Sequence, residues 1–186
     1  GAPCGVAVAP RGHAARQSRR IEAIVVAFDG SAEALLALRI AHGLAACTGG
    51  AVRAVMVIVP SSPGVAVGEV VPFSGLDAVV PLGDVEPLET MQLADGLERQ
   101  ERAARAALAA AVEALVAGTK IEQQVLVGPD PASTILDAAR GADLLVLGSR
   151  AYGPVRRALV GSVSVRVVRH APCPVLVMPR VSEGIG

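Results

Sequence analysis

The stretch that most constrains the fold runs from Leu144 to Val168, LLVLGSRAYGPVRRALVGSVSVRVV. Its apolar opening, Leu144-Leu145-Val146-Leu147, is too short for a helix and is bounded by Gly148, so it reads as a buried strand. A glycine-bearing loop follows through Gly153. Gly161-Ser162 then opens a second apolar-periodic segment, with Val160, Val163 and Val167 on one helical face. Strand, glycine loop and helix N-terminus in that order point unpaired backbone N–H groups at an anion. An ordinary strand-to-helix connection uses glycine for the same backbone reasons, so the spacing alone leaves both readings open.

The remaining segments repeat the strand-then-helix theme. Ile21 to Ala27 is apolar and β-branched, ends at Phe28-Asp29-Gly30-Ser31, and reads as a central strand covered on both faces. Ser31 is the expected N-cap of a helix through about Cys47, with Leu36, Ile40 and Leu44 on one face. Ala51 to Val59 is a second strand, closed by Pro60. With no hairpin turn between them, these strands imply a right-handed crossover and a parallel pair. Residues 60–94 are broken by prolines and glycines and read as a long variable surface insertion, with a lid as the other reading. Asp95 to Ala117 is the clearest helix, with a stripe of Leu97, Ala104, Leu108, Ala111 and Leu115. Its charged face carries the i,i+4 pairs Glu98 with Arg102 and Glu101 with Arg105. Ile121 to Val127 is the third strand, a short helix runs from about Ala132 to Ala139, and Asp143 to Leu147 is the fourth strand. The helix after Gly161 ends at His170, and Val175 to Met178 is the fifth strand.

Strands alternating with helices give an α/β fold: an open, five-stranded, mostly parallel sheet sandwiched by helices, in a single domain over residues 21–180. Residues 1–20, with scattered arginines, read as a disordered N-terminal arm, and 181–186 as a tail. Val6-Ala7-Val8-Ala9 is too short for the apolar core of a signal peptide. The formal net charge of zero argues against nucleic acid as a partner, and the lack of a long apolar run argues against a membrane span. Three scattered cysteines point to a reducing compartment, the cytoplasm, with Cys47 and Cys173 as buried small apolar residues.

The chemistry of the chain is narrowed by what its motifs lack. The single lysine, Lys120, lies in no Walker context, and the dinucleotide fingerprint is missing after the first strand. His13, His42, His170 and the cysteines form no metal-ligand spacing, and Ser149 lacks a nucleophile-elbow pattern. No catalytic residue is assigned. Asp29 stands at the carboxyl end of the first strand, where open α/β sheets place ligands, although a carboxylate there also suits a helix start. Loops after the first and fourth strands are expected to meet in one crevice, bringing Asp29 and Gly148 together.

The segments VVAFDGS, GPDPASTILDAARGAD and DLLVLGSRAYGPVRRALVGSVSVRVVRHAPCPVLVMPR resemble the universal stress protein family over roughly residues 21–180. The resemblance implies an adenine nucleotide alpha hydrolase-like sheet of strand order 3-2-1-4-5 and a homodimer through the C-terminal strand. It also implies a branch that binds ATP, or AMP and ADP, through Gly-x2-Gly-x9-Gly-Ser/Thr, with any Mg²⁺ arriving on the nucleotide beside Asp29. Gly148 matches the first glycine, and Gly161 and Ser162 the closing pair, while the second glycine is replaced by Ala151. By the same resemblance Ala27, Phe28 and Asp29 line the ribose and adenine side, and Val57 offers its backbone to adenine. Leu147 closes the fourth strand, and Arg150, Val163 and Ser164 lie along the phosphates. If position 151 needs a left-handed backbone, its Cβ costs roughly 1–2 kcal/mol. Micromolar affinity is worth about 8 kcal/mol, so Ala151 is expected to weaken binding rather than abolish it. The resemblance thus implies a nucleotide-dependent stress-response sensor or switch, at most a slow ATPase. A non-binding dimeric scaffold that regulates a protein partner is the alternative.

Overall fold

The computed structural model describes residues 4–13, 20–60, 87–115, 120–149 and 162–179. In chain order the elements are β1 (Val6–Val8), β2 (Ala23–Phe28), α1 (Ala32–Thr48), β3 (Ala51–Ile58), α2 (Pro87–Glu113), β4 (Ile121–Val127), α3 (Pro131–Ala138), β5 (Leu144–Gly148), α4 (Ser162–His170) and β6 (Val175–Met178). The sheet has six strands in the order β1-β6-β5-β2-β3-β4. From β6 to β4 every neighbouring pair is parallel, which is the expected order of the five principal strands. The sixth strand is the difference: β1 lies within the segment expected to be a disordered arm, and pairs antiparallel with β6. A three-residue strand reading Val-Ala-Val carries no periodic signal of its own; the open edge of β6 is what orders it.

Right-handed crossovers decide which helix covers which face. The chain steps outward from β2 to β3 to β4 through α1 and α2, then returns to β5 and β6 through α3 and α4, so the two helix pairs lie on opposite faces. The packing follows: Ile24, Val26 and Phe28 of β2 turn toward α1 and α2, with Ala34, Ala37, Leu38, Ala41 and Leu108. Val25 of β2 turns to the other face, with Val55, Ile135, Leu145, Leu147, Val167 and Val175. Burial of β2 on both faces matches its unbroken apolar sequence.

Three expectations are corrected. The inward stripe of α1 is alanine-rich, Ala34, Ala37, Leu38, Ala41 and Ala45, while Leu36 and Leu44 are only partly buried and Ile40 is exposed. Small side chains let the helix lie close to the sheet, and the larger residues fall to its flanks. Cys47 is therefore exposed on α1, whereas Cys173 is buried, and burial pushes its thiol up to about 11. Finally, α2 begins at Pro87 rather than Asp95, because proline is well tolerated in the first turn of a helix. Residues 61–86 of the expected insertion lie outside the described residues. The stripe of α2 is as expected, with Ala104, Leu108 and Ala111 buried and Glu101–Arg105 paired at 2.7 Å on the outer side.

Long-range hydrogen bonds fix the frame. Asp143 Oδ2 accepts from the amides of Glu22 and Ala23 at 2.9 and 3.0 Å, setting the start of β2 beside β5. Arg53 Nη2 donates to the Ala138 carbonyl at 2.8 Å, so β3 satisfies an end carbonyl of α3.

Candidate functional site

The register of the strands creates a notch. β2 ends at Phe28, opposite Met56, while β3 continues to Ile58, so Val57 has no residue of β2 opposite it. On the other side Ala27 faces Leu147, and Gly148 is already in register with Met178 of β6. This is where the chain's outward and returning crossovers part, and the C-terminal end of β2 lies at the bottom of the crevice between them.

The crevice is a cavity of about 230 Å³ lined by Ala27, Phe28, Asp29, Val55, Val57, Pro131, Ile135, Leu147, Gly148, Val163, Ser164 and Val167. Val55, Ile135 and Val167 belong to the buried cluster beneath α3 and α4, so the cavity opens on that face of the sheet. Its floor and walls are apolar, and polar groups enter only at the rim, an arrangement common to small-molecule sites.

Each rim residue has a local cause. Gly30, at φ 82°, takes the left-handed conformation that turns the chain from β2 toward α1. Ser31 then caps α1, its hydroxyl accepting from the Ala34 amide at 3.2 Å. Asp29 Oδ1 accepts from the Ser31 amide at 3.0 Å and from its hydroxyl at 2.6 Å, which holds the carboxylate at the mouth of the crevice. The carboxylate thus fills both roles open to it in the sequence, steadying the helix start and lining the cavity.

Gly148 is required by close approach. A Cβ there would lie 2.8 Å from Glu33 Cβ, 2.9 Å from the Glu33 carbonyl carbon and 3.0 Å from the Ala34 nitrogen. The end of β5 therefore rests on the first turn of α1. Across the crevice, buried Ser164 of α4 donates its hydroxyl to the Gly148 carbonyl at 3.3 Å, tying the α4 N-terminal turn to the same point. α4 carries no acidic residue in its first turn, and Arg169 and His170 in its last, so its own charges leave the positive end of its dipole uncompensated.

The third wall is one the sequence reading did not assign. Pro131 and Ile135 come from α3, whose N-cap Asp130 accepts from the Ser133 amide at 3.2 Å and also from the Ser133 hydroxyl. Asp130 receives both Arg166 guanidinium nitrogens of α4, at 2.8 and 2.9 Å. The Ser133 hydroxyl, foremost, and the Arg166 guanidinium together hold the Asp130 carboxyl below its ordinary value of 3.8, against the opposing effect of desolvation. The bidentate pair bridges the first turn of α3 and the body of α4, the two helices flanking the crevice.

Of the residues singled out in the sequence, Ala27, Phe28, Asp29, Val57, Leu147, Gly148, Val163 and Ser164 converge on this cavity. Ser162 opens α4 and is exposed, but does not line the cavity. Arg150, Ala151 and Gly161 lie outside the described residues. Among the described residues no cluster of His, Cys, Asp and Glu has the makings of a metal site, and no helix is long and apolar enough to cross a membrane.

Residues 76–179 match the model of the universal stress protein family. The chain belongs to the universal stress protein family. It is 40% identical over 95 residues to a universal stress protein of Thermus aquaticus, an alignment covering 50% of this chain and 65% of that relative. The chain thus spans less than two thirds of the length of the curated relatives it matches. A universal stress protein solved in complex with cAMP superposes with a TM-score of 0.55 at 23% identity, covering 87% of this chain and 98% of that one. A universal stress protein from Archaeoglobus fulgidus in complex with dAMP gives 0.50 at 22% identity, covering 86% and 99%. At these identities the likeness to solved structures is one of fold.

Proposed function

We propose that this universal stress protein binds an adenine nucleotide, ATP or AMP, in the crevice at the end of β2, and acts in stress responses as a nucleotide-dependent sensor or switch. The observation that carries the reading is the notch itself. An apolar slot between Val55, Val57, Ile135 and Val167 suits a flat base, and the overhang of β3 presents main-chain groups of Val57 at its edge. Asp29 at the rim suits the ribose side, while the α4 N-terminal turn, anchored on Gly148, suits an anion. Phosphates would then be held by main-chain hydrogens at the α4 N-terminus rather than by lysine. Relatives of the same fold have been solved with cAMP and dAMP, which supports the adenine class. Any Mg²⁺ would arrive on the nucleotide, since Asp29 Oδ1 is already engaged by Ser31.

Native mass spectrometry of the purified chain tests the reading. The expected spectrum contains a species heavier than the bare chain by the mass of an adenine nucleotide, lost on denaturation. A bare chain that also takes up neither ATP nor AMP in calorimetry would leave the scaffold alternative.

A further inference from the structure

Two walls of the crevice come from helices, and an ion pair joins those helices. Asp130, the N-cap of α3, stands one residue before Pro131, which lines the cavity; Arg166 of α4 stands one residue before Val167, which also lines it. The guanidinium meets both oxygens of the carboxylate, Nη1 to Oδ1 at 2.8 Å and Nη2 to Oδ2 at 2.9 Å. Two such bonds between planar groups fix separation and orientation together, which a single bond does not. Each helix is also pinned elsewhere. The Ala138 carbonyl, at the far end of α3, accepts from Arg53 of β3, and Ser164, in the first turn of α4, donates to the Gly148 carbonyl. What those pins leave free is the approach of the first turn of α3 to the body of α4, and the pair spans it. We propose that Asp130 and Arg166 are positioning residues that set the width of the apolar slot, and with it the affinity for the adenine base. The inference rests on the nucleotide-binding reading above.

Magnitudes favour geometry over stability as the main effect of the pair. The Arg166 side chain is 56% exposed and that of Asp130 33%, and pairs this wet add little to global stability. Slot width bears directly on a flat ring. A base lying on Val55 and Val57 would touch Pro131 and Ile135 of α3 on one side and Val163 and Val167 of α4 on the other. A gap of about 0.5–1 Å at such a contact forfeits roughly a quarter to a half of its dispersion attraction. Neither Asp130 nor Arg166 lines the cavity itself, so the two reach the base through the placement of their helices.

The test uses the full chain and sets charge against geometry. Asp130→Asn removes a negative charge near the crevice but keeps an N-capping side chain, and Arg166→Gln removes a positive charge and leaves Asp130 to cap α3. If the two residues acted on the ligand by charge, the first change would tighten ATP binding and the second weaken it. Neither would then alter binding of uncharged adenosine. Width-setting requires the same direction for both. In calorimetry at neutral pH, each variant should bind ATP and adenosine about tenfold more weakly than wild type, and the double variant no more weakly than either alone. Arg166→Lys, which keeps the charge and one bond, should fall between. Circular dichroism at the measuring temperature establishes that each variant is folded, so that lost stability does not pass for lost affinity. Wild-type affinity in the folded variants, opposite shifts for ATP, or losses that multiply in the double variant would overturn the proposal and leave nucleotide binding in place. Binding of ATP with none of adenosine would put the affinity on the phosphates and overturn it as well. A wild type that takes up neither compound would remove both readings.

Discussion

At the scale of single residues, Gly148 joins two demands that a sequence motif cannot separate. Glycine at this position is usually taken as a concession to a bound phosphate, yet here the nearest atoms to a hypothetical Cβ belong to Glu33 and Ala34 of α1. Two of those atoms are backbone, so a clash cannot be relieved by rotating a side chain. Gly148→Ala is therefore expected to lower the unfolding free energy by roughly 1–3 kcal/mol in urea titration, even with no ligand present. The same shift would carry the Gly148 carbonyl away from Ser164 and loosen the α4 N-terminal turn. Nucleotide affinity should fall along with stability. An alanine variant as stable as wild type would mean that the β5–α1 approach is not a constraint. Asp29 and Gly148 were legible from sequence because strand ends are marked by glycine and capping residues, whereas Val163 and Ser164 were placed by the family resemblance. Pro131 and Ile135 were not, because their place in the wall depends on α3 crossing from β4 back to β5, and no local spacing encodes that return.

Among elements, the link between α3 and α4 has a strength set by pH. Asp130 caps α3 and at the same time holds Arg166 of α4, so one carboxylate fixes the relative placement of the two helices flanking the crevice. Its folded-state value lies below 3.8, so its contribution to stability is complete above that ordinary value and is lost as pH falls through the lower, folded value. Asp130→Asn removes the charge at every pH. The variant is expected to be less stable than wild type at neutral pH, and the gap between the two should close in acid, below about pH 3.8. Thermal melts across that range check it; a gap that stays constant into acid would remove the ionised clamp from the account. The elements themselves were read from sequence with uneven success. β4 and β6 match their expected bounds, Gly128 closing the first and Pro174 and Pro179 enclosing the apolar run of the second. The buried face of α1 was misplaced because the periodic signal followed Leu36, Ile40 and Leu44, while the sheet selects for small alanines. β1 was invisible because its order comes from a partner strand some 170 positions away in the chain.

For the molecule as a whole, the crevice draws on β2, β3, α3, β5 and α4, from Ala27 to Val167. These parts come together only in the assembled sheet, so a ligand filling the crevice binds the folded chain and not the unfolded one. Its binding energy is then added to global stability. At a ligand concentration of 100 times Kd the increment is about 2.7 kcal/mol. For a chain of this length that corresponds to a rise in melting temperature on the order of 5–10 °C. The structure also specifies which part of the ligand should matter. The described walls are apolar and base-sized, so tripolyphosphate, which offers charge but no ring, should give much less stabilisation than ATP at matched concentration. AMP should retain most of the effect because it keeps the base and ribose. If tripolyphosphate raised the melting temperature as much as ATP did, while AMP did nothing, the crevice would be an anion site alone. The apolar slot between Val57, Ile135 and Val167 would then need another occupant.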